Sequence, residues 1–389
     1  MNELTAILER WQLDKEDPSE AVLATVVHVT GSAYRRPGAR MLITDDGFKI
    51  GTISGGCLES DVVRKAWWWT EEGASIRIFD NTTEDAAWDF GLGCNGVITL
   101  LLERIETPST TQLLHFLHEY RARHGVVVVA TVISVAAGSD DNLGDHLLYD
   151  GEGIVAGSSS RLAELLTDIV QTTFQEKKSR LVYLDKANVF VEWINSPQRL
   201  VILGAGHDAV ILTATAKMMG WRIVIADHRP TYLQSHRFPG AERIFTIPSN
   251  GDITDLVIRN NDAVIIMTHN YAKDLLLLPQ VLAENPFYIG VLGPRDRTQK
   301  MFSDINSNQF LSENIYAPMG LDIGGDTPES IALSIVAEIQ SVINERKGGL
   351  LRNHEGPIHK PALEVGFVDL KQNFSINQAI APSCSLLDA

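Results

Sequence analysis

Three glycine-rich turns, two cysteines and an arginine pair are the residues whose types and spacing could do chemistry in this chain. Gly204-Ala205-Gly206-His207-Asp208-Ala209 follows an apolar run directly and opens a helical stretch. In that context Gly204 permits a tight turn, Gly206 lets backbone approach a pyrophosphate, and Ala209 stands where a third glycine packs helix on strand. The first helical amides and the helix dipole then face the anion. Asp227 ends the next apolar run, 23 positions after Gly204, where an acid would bind a ribose hydroxyl. Arg229, two residues on, would favour a 2′-phosphate, so NAD, NADP or another nucleotide all remain open. His207 at the helix start could reach a phosphate or substrate, or merely cap the turn. His269 after a fourth apolar run, and Gly293 with Arg295 after a fifth, would arrive at the same sheet edge, because open parallel sheets bind ligands at the carboxyl ends of their strands.

The N-terminal half holds a different set. Gly55-Gly56-Cys57-Leu58-Glu59 reads as a strand-to-helix junction, where exposed amides favour a thiolate, so Cys57 is a candidate nucleophile or metal ligand. The alternative is a small buried hydrophobe. Gly91-Leu92-Gly93-Cys94-Asn95-Gly96 is a second glycine turn carrying a cysteine, and Arg35-Arg36-Pro37-Gly38 adds cationic donors suited to phosphate. Together they describe a site for an anionic, sulfur-seeking ligand, with Cys57 and Cys94 as the soft donors toward a metal. No acid and base stand at a recognisable catalytic spacing, which favours a binding protein over an enzyme; an NAD(P)-dependent oxidoreductase using His207 or His269 is the competing reading.

The elements that must position these residues follow from periodicity. A first α+β unit, 1–110, runs from an amphipathic helix (MNELTAILERW) through a buried strand at 21–29, a hairpin around Asp46-Gly47, a helix from Cys57 to Trp69, a strand at 75–80 and another at 96–105. It ends where Pro and Ser/Thr collect near Thr107–Thr111. ATVVHV at 24–29 is echoed by ATVISV at 130–135, and DDGFKI at 45–50 by YDGEGI at 149–154. Residues 111–196 therefore read as a degenerate repeat packing on the first unit, one that has lost the RRPG loop, the GGC turn and the GLGCNG loop. Six short apolar runs separated by helical or polar stretches over 197–347 predict a Rossmann-like parallel sheet covered on both faces. Thr327-Pro328 opens its last helix. The tail, 348–389, has no clear period and reads as extended or partly disordered chain.

Composition removes several function classes. The 389 residues carry 33 Lys plus Arg against 49 Asp plus Glu, a net charge of −16, which opposes nucleic acid and anionic membranes. Three cysteines without a CxxC pair make a disulfide framework unlikely and point to the cytoplasm. The N-terminus lacks signal-peptide character, and the longest apolar stretch, from Gly125, is shorter than the roughly 20 residues that span a bilayer.

GSAYRRPGARMLI, GTISGGCLESDV, GLGCNGVITLLLE, VILGAGHDA, ADHRP, VLGPRDR and APMGLDIGGDTPESIALSIVAEI resemble the XdhC/CoxI family, over about Ile7 to Lys347. The resemblance implies an accessory protein that binds the molybdenum cofactor (molybdopterin), protects it during sulfuration and passes it to an apo molybdenum hydroxylase, with a cysteine desulfurase as a further partner. Asp208 departs from the pattern where an apolar residue is frequent, and Asn270 where an aspartate is. An acid beside a phosphate turn repels pyrophosphate unless it points away. A homodimer is expected, with Trp67–Trp69 or the 327–346 helix as the two-fold contact.

Overall fold

The computed structural model describes residues 3–13, 20–31, 33–80, 96–123, 125–157, 159–305, 313–355, 364–367 and 375–376. Gly93, Cys94 and Cys384 lie outside them. Contacts divide the described residues into two compact units, 3–196 with the tail segments 364–367 and 375–376, and 197–355.

The N-terminal unit begins with α1 (Glu3–Leu13), which buries Ile7, Leu8 and Trp11 on one stripe. Then come β1 (Ala21–Gly31), β2 (Arg40–Thr44), β3 (Lys49–Gly51), α2 (Glu59–Trp69), β4 (Ser75–Asp80) and β5 (Gly96–Arg104). These five strands form an antiparallel sheet of order β3-β2-β1-β5-β4. After α3 (Pro108–Arg123) the series runs β6 (Val127–Val135), β7 (His146–Tyr149), β8 (Ile154–Gly157), α4 (Ser160–Glu176), β9 (Arg180–Tyr183) and β10 (Ala187–Ile194), paired in the order β8-β7-β6-β10-β9. The second order is the first repeated strand for strand. Both central strands also carry a bulge at one position: the register skips Val27 between β1 and β5 and Ile133 between β6 and β10.

Burial explains why β1 and β6 are apolar on both faces. Val62 and Ala66 of α2 cover Val22, Ala24 and Val26, while Leu166 and Ile169 of α4 cover Val128, Ala130 and Val132. The opposite faces, with Leu23, Leu42, Val129 and Leu148, meet one another and the apolar stripes of α1 and α3.

The C-terminal unit holds β11 (Arg199–Leu203), α5 (His207–Met218), β12 (Arg222–Asp227), β13 (Arg243–Thr246), β14 (Ala263–Ile266), α6 (Tyr271–Glu284), β15 (Tyr288–Val291), α7 (Arg295–Asp304), β16 (Ile315–Tyr316) and α8 (Pro328–Ile343). All six strands are parallel in the order β13-β12-β11-β14-β15-β16, the Rossmann arrangement, with helices on both faces. Ala209 and Leu212 of α5 join Ile335 and Ile339 of α8 on one face; Leu277 of α6 and Phe302 of α7 lie on the other. Thr327 caps α8 in a capping box with Ser330. Of the tail, β17 (Glu364–Phe367) adds to β9 in parallel and β18 (Ser375–Ile376) pairs with β17, so among the described residues the second sheet has two strands more than the first.

Candidate functional site

In the N-terminal unit the cysteine sits on a turn built around a buried acid. Glu59, the first residue of α2 and only 1% exposed, accepts hydrogen bonds from the Ile53 amide at 3.2 Å, the Ser54 amide at 2.8 Å and the Ser54 hydroxyl at 2.5 Å. Burial pushes its carboxyl up, but the bonds from Ser54 and the backbone outweigh burial and hold it below the ordinary glutamate range. Ser54 Oγ in turn accepts from the amides of Gly56, at 3.3 Å, and Leu58, at 3.2 Å, and lies 3.4 Å from Cys57 Sγ. Cys57 is left partly exposed, next to Gly56, whose φ of +108° needs a glycine and whose missing side chain leaves open space. Sequence spacing aims the helix-start amides at a Cys57 thiolate; in the structure two of them are taken by Ser54 Oγ.

The arginine loop meets this turn. A side chain at Gly55 would face the Tyr34 ring at 3.5 Å, and Arg35 pairs with Glu3, whose other oxygen accepts from Thr52 Oγ1 at 2.9 Å. Arg35 is thus engaged by α1. Arg36 also has an interaction within the chain. Behind the loop, Arg40 makes a buried ion pair with Glu192 of β10, and a side chain at Gly38 would strike that carboxylate. Arg35 Nε and Arg40 Nε are buried donors without a hydrogen-bond partner among the described residues. No group of three or more His, Cys, Asp or Glu could hold a metal among the described residues, so the Cys57 and Cys94 ligand pair expected from sequence has only Cys57 inside them.

The second candidate site is the Rossmann crevice between the ends of β11 and β14. Gly204, at φ +133°, backs onto the Met267 carbonyl, with which a Cβ would collide. Gly206 caps α5, and a Cβ there would lie 2.6 Å from Asp208 Oδ1 and 3.5 Å from the His269 ring. Asp208 Oδ2 is 2.7 Å from His269 Nε2, and Asp208 Oδ1 accepts the Ala209 amide at 3.1 Å. His269 holds a left-handed backbone, φ +59°, in a turn fixed by Thr268, whose hydroxyl donates to Asp274 at 2.5 Å and accepts from the Asn270 amide at 3.1 Å. Arg297 donates to the other Asp274 oxygen at 2.6 Å.

Asp227, expected from sequence to take a ribose hydroxyl, is fully buried and already committed. It accepts from the Ala205 amide at 2.7 Å, the Arg229 amide at 2.8 Å and the Arg229 guanidinium at 2.8 and 3.0 Å. Burial raises its carboxyl, and Arg229 with the Ala205 amide more than offsets this and lowers it. Arg229 is consequently spent on Asp227 rather than offered to a 2′-phosphate. Arg237, unremarkable in sequence, donates to the Ala205 carbonyl at 3.0 Å and fixes the turn from outside. His207 is exposed and lines a cleft of about 530 Å³ with Lys217, His236 and Arg237 over Val210 and Thr213. Gly293, at φ +124°, packs on Arg297, and Arg295 begins α7 and interacts within the chain.

Glu59 stands in the cysteine motif with no role legible from its type, and Ser54, Arg237 and Asp274 carry no signal in the sequence, because each acts through partners that the fold brings to it. Only the odd acid at Asp208 carried a legible signal.

A Rossmann sheet preceded by a twinned antiparallel unit with a cysteine turn defines the class of protein. The family described as XdhC Rossmann domain matches residues 200–339, and the XdhC and CoxI family matches residues 15–80. The chain is 34% identical to a probable xanthine dehydrogenase subunit of Bacillus subtilis, over 83% of this chain and 93% of that protein. It is 26% identical to the molybdenum cofactor insertion chaperone PaoD of Escherichia coli, over 83% of each. A crystal structure described as a xanthine dehydrogenase from Bacillus halodurans superposes with a TM-score of 0.72 at 30% identity, covering 89% of this chain and 97% of that one. This chain belongs to the XdhC and CoxI family. Among the described residues no helix is long and apolar enough to cross a membrane.

Proposed function

We propose that this protein is an accessory factor that binds the molybdenum cofactor, supports its sulfuration and delivers it to an apo molybdenum hydroxylase of the xanthine dehydrogenase type. The observation that carries this reading is the placement of Cys57, partly exposed on a turn pinned by Glu59 and joined to the arginine loop through Tyr34, Glu3 and Thr52. A soft thiol beside guanidinium donors suits a cargo that combines a sulfur-ligated metal with a phosphate. The names of the relatives point the same way. A cysteine desulfurase as sulfur source, a cytoplasmic location and a homodimer complete the reading; Trp68, 70% exposed on α2, and Leu333, 56% exposed on α8, are the apolar groups offered to a two-fold contact.

The test is molybdenum content and partner activation. Cys57→Ser nearly preserves volume and is expected to fold, to retain several-fold less molybdenum when purified from a host that makes the cofactor, and to fail in activating an apo-hydroxylase. Full activation by the variant would remove the cysteine from the mechanism. A nicotinamide-dependent oxidoreductase is the competing reading of the β11–turn–α5 unit, against which the Asp208 carboxylate at that turn weighs; a stable nicotinamide signal with no molybdenum in the purified protein would select it.

We also propose that residues 111–196 are a degenerate copy of the first unit. Strand order, the Val27 and Ile133 bulges and the positive-φ turns at Gly38 and Gly144 support it, each glycine standing two residues before the first residue of β2 or β7. In the copy the turn persists, and Asp141 and Asn142 stand where the first unit has Arg35 and Arg36.

A further inference from the structure

We infer that Asp208 occupies, within its own Rossmann crevice, the place a ligand's diphosphate would take, so that the domain excludes nucleoside diphosphates and dinucleotides and admits ligands that bring a neutral or cationic group to the start of α5. Gly206 shows where the space lies. Its φ of −62° is open to any residue, so the backbone does not demand glycine there. What glycine supplies is room above the turn, and the group in that room is the Asp208 carboxylate, 2.6 Å from the Cβ position.

The carboxylate is bound as an incoming anion would be. One oxygen takes a first-turn amide, that of Ala209, and the other takes the His269 imidazole from across the crevice. His269 is aimed there by a turn tied through Thr268 and Asp274 to Arg297. On the ribose side the usual acceptor is spent, since Asp227 holds the Ala205 amide and Arg229. A diphosphate approaching this helix start therefore meets a negative charge, finds the Ala209 amide and the His269 imidazole occupied, and gains no ribose contact.

The experiment titrates ADP and, separately, inorganic pyrophosphate into the full-length protein and three variants by calorimetry. Wild type is expected to show no saturable binding in the millimolar range. Asp208→Asn, which keeps shape and removes charge, and Asp208→Ala, which removes both, are expected to bind ADP at least tenfold more tightly than wild type. His269→Ala, which leaves the carboxylate in place, is expected to gain nothing. ADP binding to wild type as tight as to the Asp208 variants would overturn the inference, as would its absence from both variants or an equal gain in His269→Ala. The inference stands apart from the molybdenum reading, whose own test at Cys57 leaves ADP binding unchanged.

Discussion

At the scale of single residues, the cysteine turn depends on a buried carboxylate, that of Glu59. Glu59 orders Ser54, and Ser54 orders the amides on either side of Cys57. Glu59→Gln keeps the shape but replaces one acceptor oxygen by a donor facing Ser54, so the turn loses a charge-assisted hydrogen bond, about 1.5–3 kcal/mol. Because hydrogen bonds hold the folded-state carboxyl below its unfolded value, this stabilisation is fully present above the unfolded glutamate pKa, about 4.3, and is lost as pH falls through the folded value. The expected result is that Glu59→Gln lowers the urea midpoint of the N-terminal unit at neutral pH, with a difference from wild type that shrinks below about pH 4. Alkylation of Cys57, read in the same samples, is expected to change as the turn loosens. A pH-independent difference would show that the charge on Glu59 contributes nothing.

At the scale of elements, the two glycines of the β11–α5 turn have separate duties. Gly204 cannot carry a side chain, because its φ of +133° is costly for any other residue and a Cβ would collide with the backbone carbonyl of Met267. Gly206 would displace only the end of the Asp208 side chain. Gly204→Ala is therefore expected to destabilise the C-terminal unit by about 2–4 kcal/mol, while Gly206→Ala leaves its thermal transition within about 1 kcal/mol of wild type; equal losses would refute this division. The spacing of the turn was legible in the sequence, as were the six parallel strands and the Thr327 cap, because each is written in local residue types. Thr107-Pro108 carries the same signal as Thr327-Pro328 and opens α3, yet the surrounding Ser and Thr residues read as a linker. The partners of Asp227, Arg35 and Glu59 were not legible, since a carboxylate's hydrogen bonds depend on which amides the fold brings to it.

At the scale of the whole N-terminal unit, the two sheets are joined by reciprocal buried pairs. Arg40, the first residue of β2, reaches Glu192 on β10, and His146, the first residue of β7, reaches Glu103 on β5 at 3.0 Å. The register makes the pairs equivalent: Thr25 lies opposite Arg40 as Thr131 lies opposite His146, and Leu23 lies opposite Glu103 as Val129 lies opposite Glu192. Each half thus offers a base to the other's acid, which is the pattern of a contact about a two-fold axis. Removing one member strands a buried charge, and for a pair of this kind that costs about 3–5 kcal/mol, whereas replacing both by apolar groups is near neutral. Arg40→Met is accordingly expected to destabilise the N-terminal unit by an amount in that range, and Arg40→Met combined with Glu192→Leu to recover most of it. Because Arg40 also donates to the Gly38 carbonyl at 2.9 Å, the single variant should loosen the arginine loop as well, seen as faster amide exchange at residues 38–40. Additive losses in the double variant would mean that the two side chains act independently and that the pair does not fasten the sheets.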